Sequence, residues 1–199
     1  MTDYNQEWDR LLGIKTTGRD DTTSDLTRYP YEPTDYRVLE LLAGAGYIGK
    51  SNVLLDYGCG KGRVSFFLSA QTKCRSIGIE YNPRLLERAR ANRETARRGH
   101  LVTLVQADAA SFAVPPGADR AFFFNPFSLD ILRPVMVNLL ISCREFPRDM
   151  LLFFYYPSEF YCEYLGNLTG ISPLEPLDCR TDPDADSREK ILIFKMTGY

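Results

Sequence analysis

Asp56, Gly58, Gly60, Gly62 and Glu80 are the residues of this chain whose types and spacing point most directly to chemistry. The apolar run Val53-Leu-Leu stops at Asp56, and glycines follow on alternate positions at 58, 60 and 62. Glycine lets the backbone turn sharply and bring its N–H groups close to a ligand, with no Cβ in the way. The apolar-periodic segment that starts at Arg63 reads as a helix aiming its electropositive N-terminus at the same spot. These are the parts of a cradle for a nucleotide-bearing ligand. Glu80 ends the next strand about 20 residues beyond the loop, where its carboxylate can accept both ribose hydroxyls of an adenosine moiety.

The spacing discriminates among such ligands. Fingerprints for NAD run G-x-G-x-x-G, with the second glycine admitting a pyrophosphate. Here the pattern is Asp-x-Gly-x-Gly-x-Gly, and a carboxylate at Asp56 repels a pyrophosphate but favours an ammonium group. A ligand with an amino-acid end fits better. Asp108, in Gln106-Ala-Asp-Ala, can accept from an adenine amino group or serve as a helix N-cap. Asn125-Pro-Phe127 follows the apolar run Ala121-Phe-Phe-Phe; it is either a plain turn or a rigid element presenting carbonyls to a reacting centre.

Elements must position these residues. A helix is expected over about 35–45, with Thr34 as N-cap and Val38, Leu39, Leu41 and Leu42 inward. Strands are expected at 53–56, 75–80, 101–106, 120–125 and 150–156. Helices are expected at 63–70, 83–98, 128–143 and 158–168. Pro134 should kink the fourth of these five helices or mark its true start. Ile171–Asp178 and Lys190–Met196 read as two extended segments joined by a polar loop. Alternating units followed by a hairpin imply an α/β fold with a doubly wound, mostly parallel sheet and an antiparallel edge. The polar first 33 residues, with a turn-prone stretch from Gly13 to Asp25, read as an arm or lid, and 34–199 as the main domain.

The chain at this point resembles the class I, seven-strand S-adenosylmethionine-dependent methyltransferases. The resemblance rests on Asp56-Tyr-Gly-Cys-Gly-Lys-Gly62, Gly78-Ile-Glu80-Tyr-Asn-Pro83, Asp108 and Asn125-Pro-Phe127. It implies a three-layer α/β/α fold with strand order 3-2-1-4-5-7-6, strand seven antiparallel. It implies S-adenosylmethionine as cofactor and S-adenosylhomocysteine as product. Asp56, Gly58 and Gly60 would hold the methionine end, Glu80 the ribose, Asp108 the adenine amino group, and Tyr81 would pack on the adenine face. Tyr57, Cys59, Gly62, Ala109 and Asn125 complete the implied cofactor set. The Asn-Pro-Phe element looks like a shortened form of the Asn/Asp-Pro-Pro-aromatic motif of enzymes that methylate planar amino groups, and the second proline is missing. Asn125, Pro126 and Phe127 are therefore the expected catalytic residues, with Tyr29, Tyr31, Tyr36, Tyr155 and Tyr156 as acceptor walls and 16–36 as a lid. The layout also resembles, more loosely, seven-strand protein-lysine methyltransferases.

Composition bounds the rest. The chain has 199 residues, 44% hydrophobic and 25% charged, with net charge -2, so its overall field does not draw polyanions. The expected acceptor is a nitrogen or oxygen of a small molecule or protein side chain. The alternatives are a nucleic-acid base amino group or a non-catalytic cofactor-binding module. Five scattered cysteines without a C-x-x-C pair fit reduced thiols in a cytoplasmic protein and no metal site. No run is long and apolar enough for a membrane partner. The arginines of the 83–98 segment alternate with Glu87 and Glu94 and read as a solvated helix face.

Overall fold

A computed structural model of the chain describes residues 3–20, 27, 29–182 and 184–198. Eight strands form one sheet: β1 Val53–Tyr57, β2 Arg75–Glu80, β3 Val102–Gln106, β4 Arg120–Phe124, β5 Met150–Tyr155, β6 Ile171–Pro173, β7 Leu177–Asp178 and β8 Lys190–Met196. Their order is β3-β2-β1-β4-β5-β8-β6, with β7 also paired to β8. The pairs among β1 to β5 are parallel, and β8 runs antiparallel to its neighbours. This is the expected order with one strand split in two. Pro173 and Pro176 lack the N–H a continuous strand would donate, so the 171–178 segment breaks into two short edge strands.

Among the described residues six α-helices flank the sheet: α1 Tyr4–Leu12, α2 Tyr36–Gly44, α3 Arg63–Thr72, α4 Pro83–Thr95, α5 Leu129–Glu145 and α6 Glu159–Gly166. Alternation along the strands feeds two cores. Leu55, Tyr57, Phe123 and Phe154 face α5 and α6, whereas Leu54, Phe122 and Phe153 face α1, α2 and α3. On the first face Tyr57, Phe123 and Phe154 are register partners across three strands, stacked at 4.9 and 4.6 Å with near-parallel rings. Such pairs add about 1 kcal/mol each beyond burial and stiffen the sheet beneath the site.

Local chemistry sets the helix ends. Asn82 caps α4, with Pro83 at its first position, and Ser128 caps α5. Pro134 lies inside α5, which corrects the expectation that it could mark the start. Asp35, not Thr34, caps α2 by accepting from the Arg37 N–H. The start of the chain, read from sequence only as polar, holds a helix. Asp3 caps α1, whose Leu12 is buried and whose Trp8 ring packs on Tyr36 and Phe67.

Candidate active site

The strand order reverses at β1, between β2 and β4, and a crevice opens beyond the carboxyl ends of these strands. The glycine loop that follows β1 is pinned over β2. Gly58 and Cys59 both donate to the Ile79 carbonyl, at 2.9 and 3.1 Å. Glu80 then organises the next turn, its two oxygens accepting from Gly60 N–H at 2.9 Å and Asn82 N–H at 2.8 Å. Each carboxylate oxygen can accept more than one hydrogen bond, so this role is compatible with holding ribose hydroxyls. Gly58 and Gly60 adopt φ of 73° and 55°, conformations glycine favours. A Cβ on Gly58 would stand 2.6 Å from Pro126, and one on Gly60 would run into the Tyr31 ring. Cys59 has a small side chain because its thiol packs against Gly78, and burial pushes that thiol well above its ordinary value. It has no character of a nucleophile.

Asp56 is buried, and Ser65 at the start of α3 gives its Oδ2 two hydrogen bonds, at 3.1 and 2.7 Å. Burial pushes its carboxyl up to about 7, outweighing the Ser65 bonds, and the nearby charge of Glu80 adds to the rise. The physical reason is a carboxylate desolvated without a counter-cation. An ammonium group is what this position lacks.

A cavity of about 190 Å³ runs along the strand ends. Asp56, Tyr57, Gly58, Cys59, Glu80 and Tyr81 line it from the first two strands, and Asp108 and Ala109 close one end. Pro126, Phe127, Tyr29 and Tyr31 line the other side. Twelve of the expected residues thus converge from five segments on one cavity. Asp108 also performs the alternative role, accepting from Ala110 N–H to cap a short 3-10 turn at 109–111.

Six expected residues are placed elsewhere. Gly60 lies beneath Tyr31, and Gly62 forms the N-terminal cap of α3, where a Cβ would meet Phe66 at 2.5 Å. Tyr36 is fully buried in the core, its hydroxyl bonded to Asp9 at 2.7 Å, so it is no acceptor wall. Asn125 and Tyr156 line a second, outer cleft together with Tyr155. Both have positive φ, 41° and 50°, so β4 and β5 end in the same left-handed kink. The side-chain oxygen of Asn125 is buried with no hydrogen-bond partner among the described residues.

Thr27 and residues 29–34 form a strap across the crevice. Tyr29 N–H donates to the Pro126 carbonyl at 3.3 Å, and Ser128 N–H donates to Thr27 at 2.8 Å. The carbonyl assigned from sequence to a nucleophile is therefore already accepting one hydrogen bond. Farther along, Tyr31 pairs with Asp20 through two backbone bonds, and its hydroxyl donates to Thr16. Residues 21–26 and 28 of the expected lid lie outside the described residues.

Sequence reasoning missed Arg63. Its buried guanidinium donates to Thr16, Asn5 and the Thr34 carbonyl, approaches Asp9 at 3.6 Å and stacks on Tyr36 at 4.4 Å. It also lines the cavity. An arginine directly after a glycine loop was the one local signal, and its partners lie 29 to 58 residues away.

Among the described residues no His, Cys, Asp and Glu cluster could hold a metal ion, and no helix is long and apolar enough to cross a membrane. Residues 54–145 match the family model of a methyltransferase domain. No curated protein matches the chain by sequence. Solved structures do match by fold. A human methyltransferase 10 domain containing protein shares 13% identity, with 98% of this chain and 94% of that one covered and a TM-score of 0.61. A precorrin-6y C5,15-methyltransferase from Geobacter metallireducens shares 18% identity, with 90% and 94% covered and a TM-score of 0.56. An RNA methyltransferase from Salinibacter ruber, in complex with S-adenosyl-L-homocysteine, shares 20% identity, with 84% and 94% covered and a TM-score of 0.53. The buried, uncompensated Asp56, the positive-φ glycine turn and Glu80 fit the cofactor that this fold and family imply. Residues 54–145 thus match a methyltransferase-domain family model, and the fold around them is that of the class I S-adenosylmethionine-dependent methyltransferases.

Proposed function

We propose that the protein transfers the methyl group of S-adenosylmethionine to a nitrogen or oxygen of a small-molecule or protein side-chain acceptor. One observation carries this reading. A carboxylate without a counter-cation, a second carboxylate at the β2 end and the Asn-Pro-Phe turn all flank the same crevice. The cofactor, when bound, supplies a methyl group already activated by its sulfonium, so little covalent chemistry falls to the protein.

The residues supply position and exclusion of water. Asp56 balances the ammonium of the methionine end, assisted by backbone N–H groups of the loop. Glu80 accepts from the ribose, Tyr81 packs on the adenine, and Asp108 with Ala109 closes the adenine end. Asn125 and the Pro126 carbonyl orient the nucleophile beside Phe127, while the strap over 29–34 covers the reacting centre as part of an N-terminal lid. Calorimetry with S-adenosylmethionine tests the cofactor; no binding at millimolar concentration overturns the reading. Radiolabelled transfer into lysate separated into protein, nucleic acid and small molecules then identifies the acceptor.

A nucleic-acid acceptor is the second reading, favoured by the likeness to the Salinibacter ruber RNA methyltransferase. The net charge of -2 opposes it. Label appearing in the nucleic-acid fraction alone would decide for it.

A further inference from the structure

The outer cleft, about 470 Å³, shares Tyr29, Pro30 and Phe124 with the inner cavity, so the two compartments adjoin across the strap. Both linings carry carboxylates, and Glu32 belongs to both. The outer one combines three carboxylates, Glu32, Asp35 and Glu189, with a single guanidinium, Arg19. Four aromatic rings, Tyr29, Phe124, Tyr155 and Tyr156, form its remaining walls. Such rings attract cations with their faces. The protein already uses Tyr156 this way, with the Arg188 guanidinium 4.5 Å from the ring centroid. Glu189 is held in place by the Tyr155 hydroxyl, which donates to it at 2.7 Å.

Asn125 supplies an independent observation. It lines this cleft, and its buried side-chain oxygen has no donor among the described residues. An amide oxygen left in this state costs about 1–3 kcal/mol of desolvation, which a ligand N–H would recover. Arg19 stands 4.0 Å from Glu32 and Arg37 3.8 Å from Asp35, so among the described residues Glu189 is the carboxylate of this cleft without an ion-pair partner, and an anionic acceptor would meet it.

We propose that the outer cleft is the acceptor site and that it selects an acceptor carrying a protonated aliphatic amine; this rests on the methyl-transfer reading above. The carboxylates and ring faces hold the cationic group until it enters past Asn125. There the ammonium gives one proton to water at the cleft mouth, and Asn125 accepts a remaining N–H so that the lone pair faces the inner cavity. The new N–C bond forms as the S–C bond breaks, and its electron pair stays on sulfur, giving S-adenosylhomocysteine and a methylammonium. The amine belongs either to a lysine side chain or to a small molecule; the chemistry recognised is the same.

The test is calorimetry of the full chain, with and without saturating S-adenosylhomocysteine. The probes are a Gly-Lys-Gly peptide blocked as its Nα-acetyl amide, the same peptide acetylated at Nε, n-butylamine and a short RNA. The amines should bind at least about tenfold tighter than the acetylated peptide and the RNA, because only they carry the cation. Glu189→Gln should weaken amine binding about threefold, in line with a part-exposed charge pair, and Glu189→Lys more than tenfold. Melting temperature serves as the folding control. Preference for the peptide over butylamine assigns a protein acceptor, and the reverse a small molecule. Equal binding of the acetylated peptide, tighter binding of RNA, or indifference to Glu189→Lys overturns the proposal while leaving the methyltransferase reading intact. Failure of S-adenosylhomocysteine itself to bind overturns both.

Discussion

The inner cavity and the outer cleft sit side by side at one sheet edge, yet they are built in different ways. The inner one is assembled by short-range backbone chemistry. Loop N–H groups donate to Ile79 and Glu80, and glycines remove the Cβ atoms that would obstruct. The outer one is assembled from side chains at residue 19 and at 29–35, 124–125, 155–156 and 189. A cofactor common to many enzymes needs a fixed cradle that a compact motif can encode. An acceptor particular to one enzyme is met by side chains that can change without disturbing that cradle.

The largest test of this contrast is Glu80→Ala. It removes the ribose acceptor and strands the Gly60 and Asn82 N–H groups, so S-adenosylhomocysteine affinity should fall by about 3 kcal/mol in calorimetry. Unchanged affinity would show that the inner cavity is not the cofactor site. Asn125→Ala should act in the opposite way. Cofactor affinity should hold while the turnover of methyl transfer falls on the order of 100-fold, about 2.7 kcal/mol, because the nucleophile loses its orientation. Loss of cofactor binding instead would merge the two compartments into one.

The pH dependence of Asp56 comes next. Its carboxyl stands at about 7 in the fold against 3.8 as the reference, so between these values the folded chain binds more protons than the unfolded one. Stability therefore falls as pH rises through this window, and the loss persists above it. A bound ammonium reverses the preference by favouring the ionised form. Cofactor affinity should accordingly rise up to about tenfold from about pH 6 to about pH 8, with a proton released on binding. Asp56→Asn should flatten both profiles and raise the melting temperature at about pH 8. The smallest effect is expected for Ser65→Ala. It removes a hydroxyl that holds the Asp56 carboxyl down, so the midpoint of the affinity profile should move upward, with about 1 kcal/mol or less lost in binding at neutral pH. A midpoint that does not move upward would mean that the Ser65 hydroxyl does not hold the Asp56 carboxyl down.

Legibility followed the same division. Val53–Glu80 could be read as strand, loop, helix and strand because each step depends on neighbours: an apolar run buried along its whole length in β1, glycine freedom and the Asn82-Pro83 helix start. α1 went unread although it is amphipathic, because its apolar face is covered only when Trp8 meets Tyr36 and Phe67. The split of the 171–178 edge was present in Pro173 and Pro176, whose missing N–H groups matter only once a partner strand is known.

By itself the sequence determined the alternation of elements, the glycine turn and the acidic residues at the strand ends, since periodicity and backbone sterics act over a few residues. Only the tertiary structure decided that Tyr36 is core, that Arg63 ties the N-terminal segment to α3, and that Asn125 opens on an acidic, aromatic cleft. Those outcomes depend on which distant side chains come into contact, and burial and charge acquire their effects there, after the chain has closed.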